Sequence, residues 1–228
     1  MDYYYISYAL TILALIITTV AQIYVNSSYS KYKKVKNRRG LTGAEAARAV
    51  LDKNGLQNVK IGMVRGTLSD HYDPRTKTVN LSSDIYNGTT IAGVSVACHE
   101  CGHAIQDKEN YTFMRIRSSL VPIVNFSSKL GYFAILLGIV FSSINLIWLG
   151  IFAEIAILLF QLVTLPVEFD ASRKALKELD AMQILDNSEM RGSKTMLRSA
   201  ALTYVASVTS TIIEIFRLIL LAGNRNRD

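Results

Sequence analysis

Four long apolar runs constrain the fold of this chain of 228 residues more than any other feature. The first covers residues 3–25 without a charged side chain, and about 23 residues suffice to cross a hydrocarbon core of roughly 30 Å. Two more, residues 126–143 and 146–167, are separated by a predicted turn at 142–145 and would form a hairpin of spans. The last covers residues 200–222. We therefore predict a predominantly α-helical membrane protein with about four transmembrane helices.

The basic residues indicate how these spans are oriented. Half of the residues are hydrophobic, the mean hydropathy is +0.24 and the formal charge is +7, which could suggest a nucleic-acid partner. However, six of the 25 Lys and Arg residues lie in residues 31–39, directly after the first apolar run. By the positive-inside rule this block is cytoplasmic, so residues 1–28 are a signal anchor with the N-terminus outside. Composition thus favours a cell-membrane, multi-pass protein and argues against nucleic-acid binding.

Residues 41–125 are predicted to form a small cytoplasmic α+β region. Thr42 and Glu45 form a capping box that opens a helix over 43–53, and Asn54-Gly55 ends it. Residues 59–63 and 77–81 are short strands around a turn at 73–75, with Tyr72 and Val79 suited to paired edges. A helix follows over about 91–107. The predicted organisation is a signal anchor (1–28), a catalytic region (41–125), a transmembrane hairpin (126–168), a cytoplasmic helical segment (169–199) and a transmembrane helix (200–222).

The helix over 91–107 carries the sequence His99-Glu100-Cys101-Gly102-His103, an HExxH pattern. Residues four apart share one face of a helix, so the two imidazoles can bind one metal ion while Glu100 accepts a proton from water. Short strands followed by an HExxH helix is the order of elements in zincin folds, in which an edge strand binds the substrate backbone. We therefore expect a zincin-like domain facing the cytoplasm.

The two cysteines, Cys98 and Cys101, form a CxxC pattern that could be a redox pair or supply zinc ligands. A zinc ribbon needs a second such pair, and a thioredoxin-like motif needs a βαβ setting. Neither is present in the sequence. We interpret them as free thiols on a buried helix in a reducing compartment.

A catalytic zinc ion usually takes three protein ligands, so one more is needed. His71 is the only other histidine in the chain. The alternative is Glu168, which follows Pro166 at the predicted membrane boundary and would lie at the same surface as the HExxH helix. This position favours Glu168 over His71.

Four segments carry a resemblance to a known family: residues 71–86, 91–106, 120–122 and 161–176. They resemble the YugP-type neutral zinc metallopeptidases of bacterial membranes, which are distantly similar to the HtpX and CAAX-prenyl proteases. The resemblance implies one zinc ion and, from a stretch similar to E-F-x-A-D in those distant relatives, Glu168 as the third ligand. Their Asp four residues after this Glu is Ser172 here. Asp170 or Asp107 could instead supply the hydrogen bond to a zinc-binding histidine.

Together these features predict a membrane-anchored zinc endopeptidase that cleaves proteins or peptides near the cytoplasmic membrane surface, with Glu100 as the catalytic base. Negative charge that builds on the carbonyl oxygen needs a further donor, for which His71, Arg173 and Tyr204 are candidates. The expected partners are the lipid bilayer and a protein or peptide substrate, and oligomerisation or a regulatory membrane partner stays open. Two alternatives are a non-catalytic membrane scaffold or adaptor and an intramembrane protease, although the LDG-like ligand motif of the latter is missing.

Charged side chains within the apolar runs are a separate candidate feature, because such charges are costly in a bilayer. Glu154, Gln161 and Glu168 recur every seven residues and share one helix face. Glu154 could pair with Arg217 or line a water-filled cavity. Glu214 lies in the same apolar run as Arg217.

Overall fold

The computed structural model describes residues 2–225, and within them the chain is mostly helical with one small mixed sheet. Four of its helices are long and apolar enough to cross a membrane, as predicted from the apolar runs. These four are α1, α5, α6 and α7. The elements in chain order are α1 (Asp2–Tyr32), α2 (Gly43–Lys53), β1 (Lys60–Val64), β2 (His71–Asp73), β3 (Thr78–Ser82), α3 (Ser83–Tyr86), α4 (Ile91–Lys108), α5 (Thr112–Val140), α6 (Ile144–Ala181) and α7 (Asn187–Arg225).

The chain divides into two compact units, and the first consists of Met1–Gln22, Ile116–Leu165 and Leu202–Asp228. Helices α5 and α6 approach closely in it, since a Cβ atom at Gly150 would lie 2.3 Å from Ile135. Helix α6 also packs on α7 in a small apolar cluster. The buried members of that cluster are Ile147, Ile151, Leu218 and Ala222.

The outward surface of this first unit is strongly apolar. Phe126, Phe141 and Phe152 are each at least 65% exposed, which suits lipid rather than water as the surrounding medium. Arg217 donates its Nε to Glu214 at 2.7 Å, one turn away on the same helix. The ion pair of Arg217 therefore lies within α7, where the sequence had offered Glu154 on α6 as a partner.

The second unit consists of Ile23–Arg115 and Pro166–Ala201 and contains the sheet. The strand order is β1-β3-β2, with β1 parallel and β2 antiparallel to β3. β1 and β3 each lie one residue later than predicted, and the expected pairing of Tyr72 with Val79 is confirmed. β2 is an additional strand of three residues.

Helix α2 has the predicted bounds and the predicted capping box. The Glu45 backbone N–H donates to Thr42 Oγ1, and the Glu45 carboxylate accepts from the Thr42 backbone. The buried face of α2 packs against α4, since a Cβ atom at Gly43 would lie 2.9 Å from the carbonyl oxygen of Gly93. The long helices continue across the predicted boundaries between apolar runs and charged segments, so residues 125, 168 and 199 fall inside α5, α6 and α7.

Candidate metal centre

Helix α4 places the two histidines of the HExxH sequence one turn apart. Thr90 caps the helix by accepting a hydrogen bond from the Gly93 backbone N–H, and the Ile91 N–H donates to Val35. His99 and His103 then lie edge to face, with ring centroids 4.9 Å apart. His103 is buried, whereas the side chain of His99 keeps 16% of its surface exposed. The site is therefore enclosed on one side and accessible beside His99.

Helix α6 brings Glu168 to these imidazoles. Its Oε2 atom lies 3.3 Å from His99 Nε2 and 3.7 Å from His103 Nε2, and Glu168 is only 3% exposed. The close approach of α4 and α6 depends on Gly102, because a Cβ atom there would lie 2.4 Å from the carbonyl oxygen of Ala171. The glycine inside the HExxH sequence thus admits the helix that carries the carboxylate.

These three side chains fit a zinc ion by chemistry and by spacing. One ligand atom from each of His99, His103 and Glu168 lies within 4.8 Å of the others. Atoms bound at about 2.1 Å to a tetrahedral ion lie roughly 3.4 Å apart, close to the two nitrogen-to-oxygen distances found here. Two neutral imidazoles and one carboxylate are also a donor set that catalytic zinc takes, with one position left for water. The structure thus brings Glu168 to the two histidines, and His71 is not a member of this cluster.

The electrostatic surroundings of His103 match a site for a cation. Burial alone would lower the pKa of its imidazole, but the hydrogen bond and negative charge of Glu168, together with Glu100 and the hydrogen bond to Gln106, outweigh burial and raise it. Glu100 adds negative charge beside the same ring. Glu100 is itself buried, with 7% of its surface exposed. Two carboxylates thus lie near one pair of imidazoles.

Each histidine also makes an outer hydrogen bond through its other ring nitrogen, and the residues involved were not predicted as partners. Ser172 Oγ lies 3.1 Å from His99 Nδ1, and Gln106 Oε1 lies 3.0 Å from His103 Nδ1. Ser172 thus makes the contact that the departure from the related proteases had put in doubt. Gln106 lies three residues after His103, and that spacing on a helix is the one sequence signal that could have found it.

Asp170 and Asp107, which the sequence suggested as hydrogen-bond partners of a zinc-binding histidine, have other partners. Asp170 accepts from Gln106 Nε2 at 2.9 Å and from Arg173, so it reaches His103 only through the Gln106 amide. Asp107 accepts from Tyr72 Oη at 2.7 Å and pairs with Lys77. Burial and this hydrogen bond to Asp107 raise the pKa of Tyr72. Neither carboxylate therefore hydrogen-bonds a histidine of the site.

The three candidates for stabilising negative charge differ in position. His71 is exposed on β2, with Nδ1 2.9 Å from the Ser69 carbonyl oxygen and Nε2 3.2 Å from Asn80 Nδ2. Arg173 has an exposed guanidinium that donates to Asp170, two residues after Glu168. Tyr204 lies on α7 in the first unit. Arg173 is joined to His103 by hydrogen bonds that run through Asp170 and Gln106.

The two cysteines are free and buried, as predicted. Burial raises the pKa of both thiols, with a further contribution from Glu178 for Cys98 and from the neighbouring acidic groups for Cys101. The Cys101 thiol donates to the Ala47 carbonyl oxygen of α2 at 3.6 Å. These contacts are those of packing residues on the face of α4 that meets α2.

Comparison with known proteins assigns the class of this chain. The family described as "Putative neutral zinc metallopeptidase" matches residues 7–223, nearly the whole sequence, and the chain belongs to this family. It is also 44% identical over 215 residues to "Putative membrane protease YugP" of Bacillus subtilis (strain 168), covering 94% of this chain and 96% of the relative. No solved structure matches the chain significantly. Family, relative and apolar helices together indicate a multi-pass membrane protein of the zinc-peptidase class.

Proposed function

We propose that this protein is a zinc-dependent membrane endopeptidase that hydrolyses peptide bonds of proteins or peptides near the cytoplasmic membrane surface. The observation that carries the proposal is the meeting of His99, His103 and Glu168 at ligand spacing beside the buried carboxylate of Glu100. The family description and the name of the Bacillus relative support it.

In this proposal His99, His103 and Glu168 hold the ion. A bound zinc ion supplies Lewis acidity, which polarises a substrate carbonyl and makes water a nucleophile near neutral pH. Glu100 accepts the proton that water releases and returns it to the leaving amine, so that one carboxylate serves as base and then as acid. The guanidinium of Arg173 is the candidate for countering charge on the carbonyl oxygen.

The orientation of the site follows from the positive-inside rule. Residues 31–39 are strongly basic and continue from the last turn of α1, and Arg191, Lys194 and Arg198 add exposed positive charge at the start of α7. We place both regions, and the zincin-like domain between them, in the cytoplasm. Proteolysis of residues 31–39 in sealed inverted vesicles but not in right-side-out vesicles is the expected result, and the reverse pattern would contradict the orientation.

The decisive experiment is Glu100→Gln in the purified full-length protein in detergent, with zinc content and cleavage of casein measured on the same preparation. Loss of the proton acceptor should lower turnover by about 10²- to 10⁴-fold while the zinc content stays at one ion per chain. Glu109→Gln, an exposed acid at the end of the same helix, is the control and should keep both. Full casein cleavage by Glu100→Gln would overturn the proposed mechanism. A wild-type protein that binds no zinc would overturn the metallopeptidase assignment and favour a scaffold.

A further inference from the structure

The side chain of Gln106 is fully buried between α4 and α6, although its amide carries two donors and an acceptor. A buried amide is stable only if its polar atoms find partners. We propose that Gln106 is a positioning residue, which fixes the tautomer of His103 and ties that ligand to the segment of α6 that carries Glu168. This inference rests on the proposed zinc site and adds to it a residue with a defined role.

The hydrogen bonds of Gln106 determine which way its amide faces. Nε2 donates to the Val167 carbonyl oxygen at 2.8 Å and to Asp170 Oδ2 at 2.9 Å. Both of these partners are acceptors, so a flipped amide would place Oε1 against two oxygens and lose both bonds. Arg173 and Lys174 flank the Asp170 carboxylate and keep it an acceptor. The amide orientation is therefore fixed, with Oε1 towards His103.

That orientation specifies the protonation of the ring. Oε1 lies 3.0 Å from His103 Nδ1 and can only accept, so Nδ1 must carry the hydrogen. A neutral imidazole with its hydrogen on Nδ1 has a free lone pair on Nε2, the atom that lies 3.7 Å from Glu168. Gln106 thus prepares the ligand atom of His103 through the opposite side of the ring.

The outer partner of His99, unlike that of His103, does not specify which ring nitrogen carries the hydrogen. The Nδ1 atom of His99 faces the Ser172 hydroxyl, which can donate or accept by rotating its hydrogen. Ser172 therefore supports the orientation of His99 without fixing its tautomer. The Gln106 amide also bonds to Val167 and Asp170, which flank Glu168 in sequence, so Gln106 links His103 to the segment that carries Glu168. Ser172 joins the same segment of α6 to His99.

The test is a double-mutant cycle on zinc affinity, measured by competition with a chromogenic chelator on the full-length protein in detergent. Gln106→Glu places a carboxylate against two acceptors and should weaken zinc binding by about 10- to 100-fold. Asp170→Asn alone can still present an amide oxygen to Gln106 and should change affinity little. The double variant Gln106→Glu/Asp170→Asn restores a donor opposite one of the two acceptors and should recover part of the loss, while the Val167 carbonyl oxygen still faces a carboxylate.

If Gln106 only filled space, the losses of zinc affinity in the two single variants would add, and the double variant would show no recovery. That result would overturn the inference. Unchanged zinc affinity in Gln106→Glu would also overturn it. If Gln106→Glu does not fold, Gln106→Met removes the hydrogen bonds with little change in volume and should also weaken binding, and wild-type affinity in Gln106→Met would overturn the inference. Failure of the wild-type protein to bind zinc overturns the proposed function instead, so the two failures are distinguishable.

Discussion

The two halves of helix α6 have opposite surfaces although they form one continuous helix. In residues 144–165, which belong to the first unit, the large side chains of Phe152 and Leu159 are 65% and 55% exposed. In residues 166–181, which belong to the second, Leu179 is fully buried and even the acids Glu168 and Asp170 are at most 6% exposed. The exposed side chains of the first half suit lipid as their surroundings, although Ile147 and Ile151 are buried, whereas the second half lines the interior of a folded unit.

The hydrogen bonds of the polar side chains differ in the same way. In the first unit most of the described hydroxyl groups bond back to their own helix, as Thr209 does to the Val205 carbonyl oxygen at 2.9 Å, although Ser210 on α7 donates to the Ala14 carbonyl oxygen of α1 at 3.2 Å. Such local bonds satisfy a hydroxyl where neither water nor another element supplies a partner. In the second unit several buried polar side chains bond between elements, as Ser95 on α4 does to Ser193 on α7 at 2.7 Å. Buried hydrogen bonds between elements thus occur chiefly in the unit that contains the candidate metal site.

Removing an acid from each half of α6 should give the largest difference. Glu168→Gln replaces a negatively charged ligand by a neutral amide and should weaken zinc binding by more than about 100-fold, beyond the loss expected for an outer partner. Glu154→Gln changes an acid in the other half and should keep one zinc ion per chain. Metal analysis after dialysis against a weak chelator compares them, and equal zinc loss in both variants would contradict the distinction.

Shortening one leucine in each half should give the next largest effect. Leu179→Ala leaves a cavity in a fully buried position and should lower the free energy of unfolding by about 2–5 kcal/mol. Leu159→Ala removes exposed apolar surface that detergent covers in either state, so the change should be within about 0.5 kcal/mol. Thermal unfolding of both variants in the same detergent measures the difference, and an equal loss would show that Leu159 also packs in a core.

Local sequence patterns predicted the elements that depend on local interactions. The bounds of α2 followed from the Thr42–Glu45 capping box and from Asn54-Gly55, all within about a dozen residues. Strand β2 was not predicted as an element because it has three residues and depends on its pairing with β3. Helices α6 and α7 extend beyond the apolar runs because charged residues are also good helix formers once an element packs on one face.

The residues of the candidate site likewise divide into those that local sequence predicts and those that depend on tertiary packing. His99, Glu100 and His103 follow from spacing on one helix, and Glu168 needed the membrane boundary and the family resemblance. The spacing of Gln106 from His103 was the one local signal for an outer partner, but it does not predict burial, since a polar residue near the end of a helix is usually exposed. The burial of Gln106 depends on the approach of α6 at Gly102, a packing fact that spacing alone does not contain.

Removing one hydroxyl from each unit should give the smallest effect and tests the hydrogen-bond comparison directly. Ser193→Ala deprives the buried Ser95 hydroxyl of its partner on another helix and should cost about 1 kcal/mol of unfolding free energy. Thr209→Val removes a bond that Thr209 makes only to its own helix and should cost less than about 0.5 kcal/mol, because β-branching and volume are retained. Thermal unfolding of both variants in the same detergent gives the difference. A larger loss in Thr209→Val would mean that this hydroxyl connects helices in the first unit, and the contrast between local and connecting hydrogen bonds would then fail.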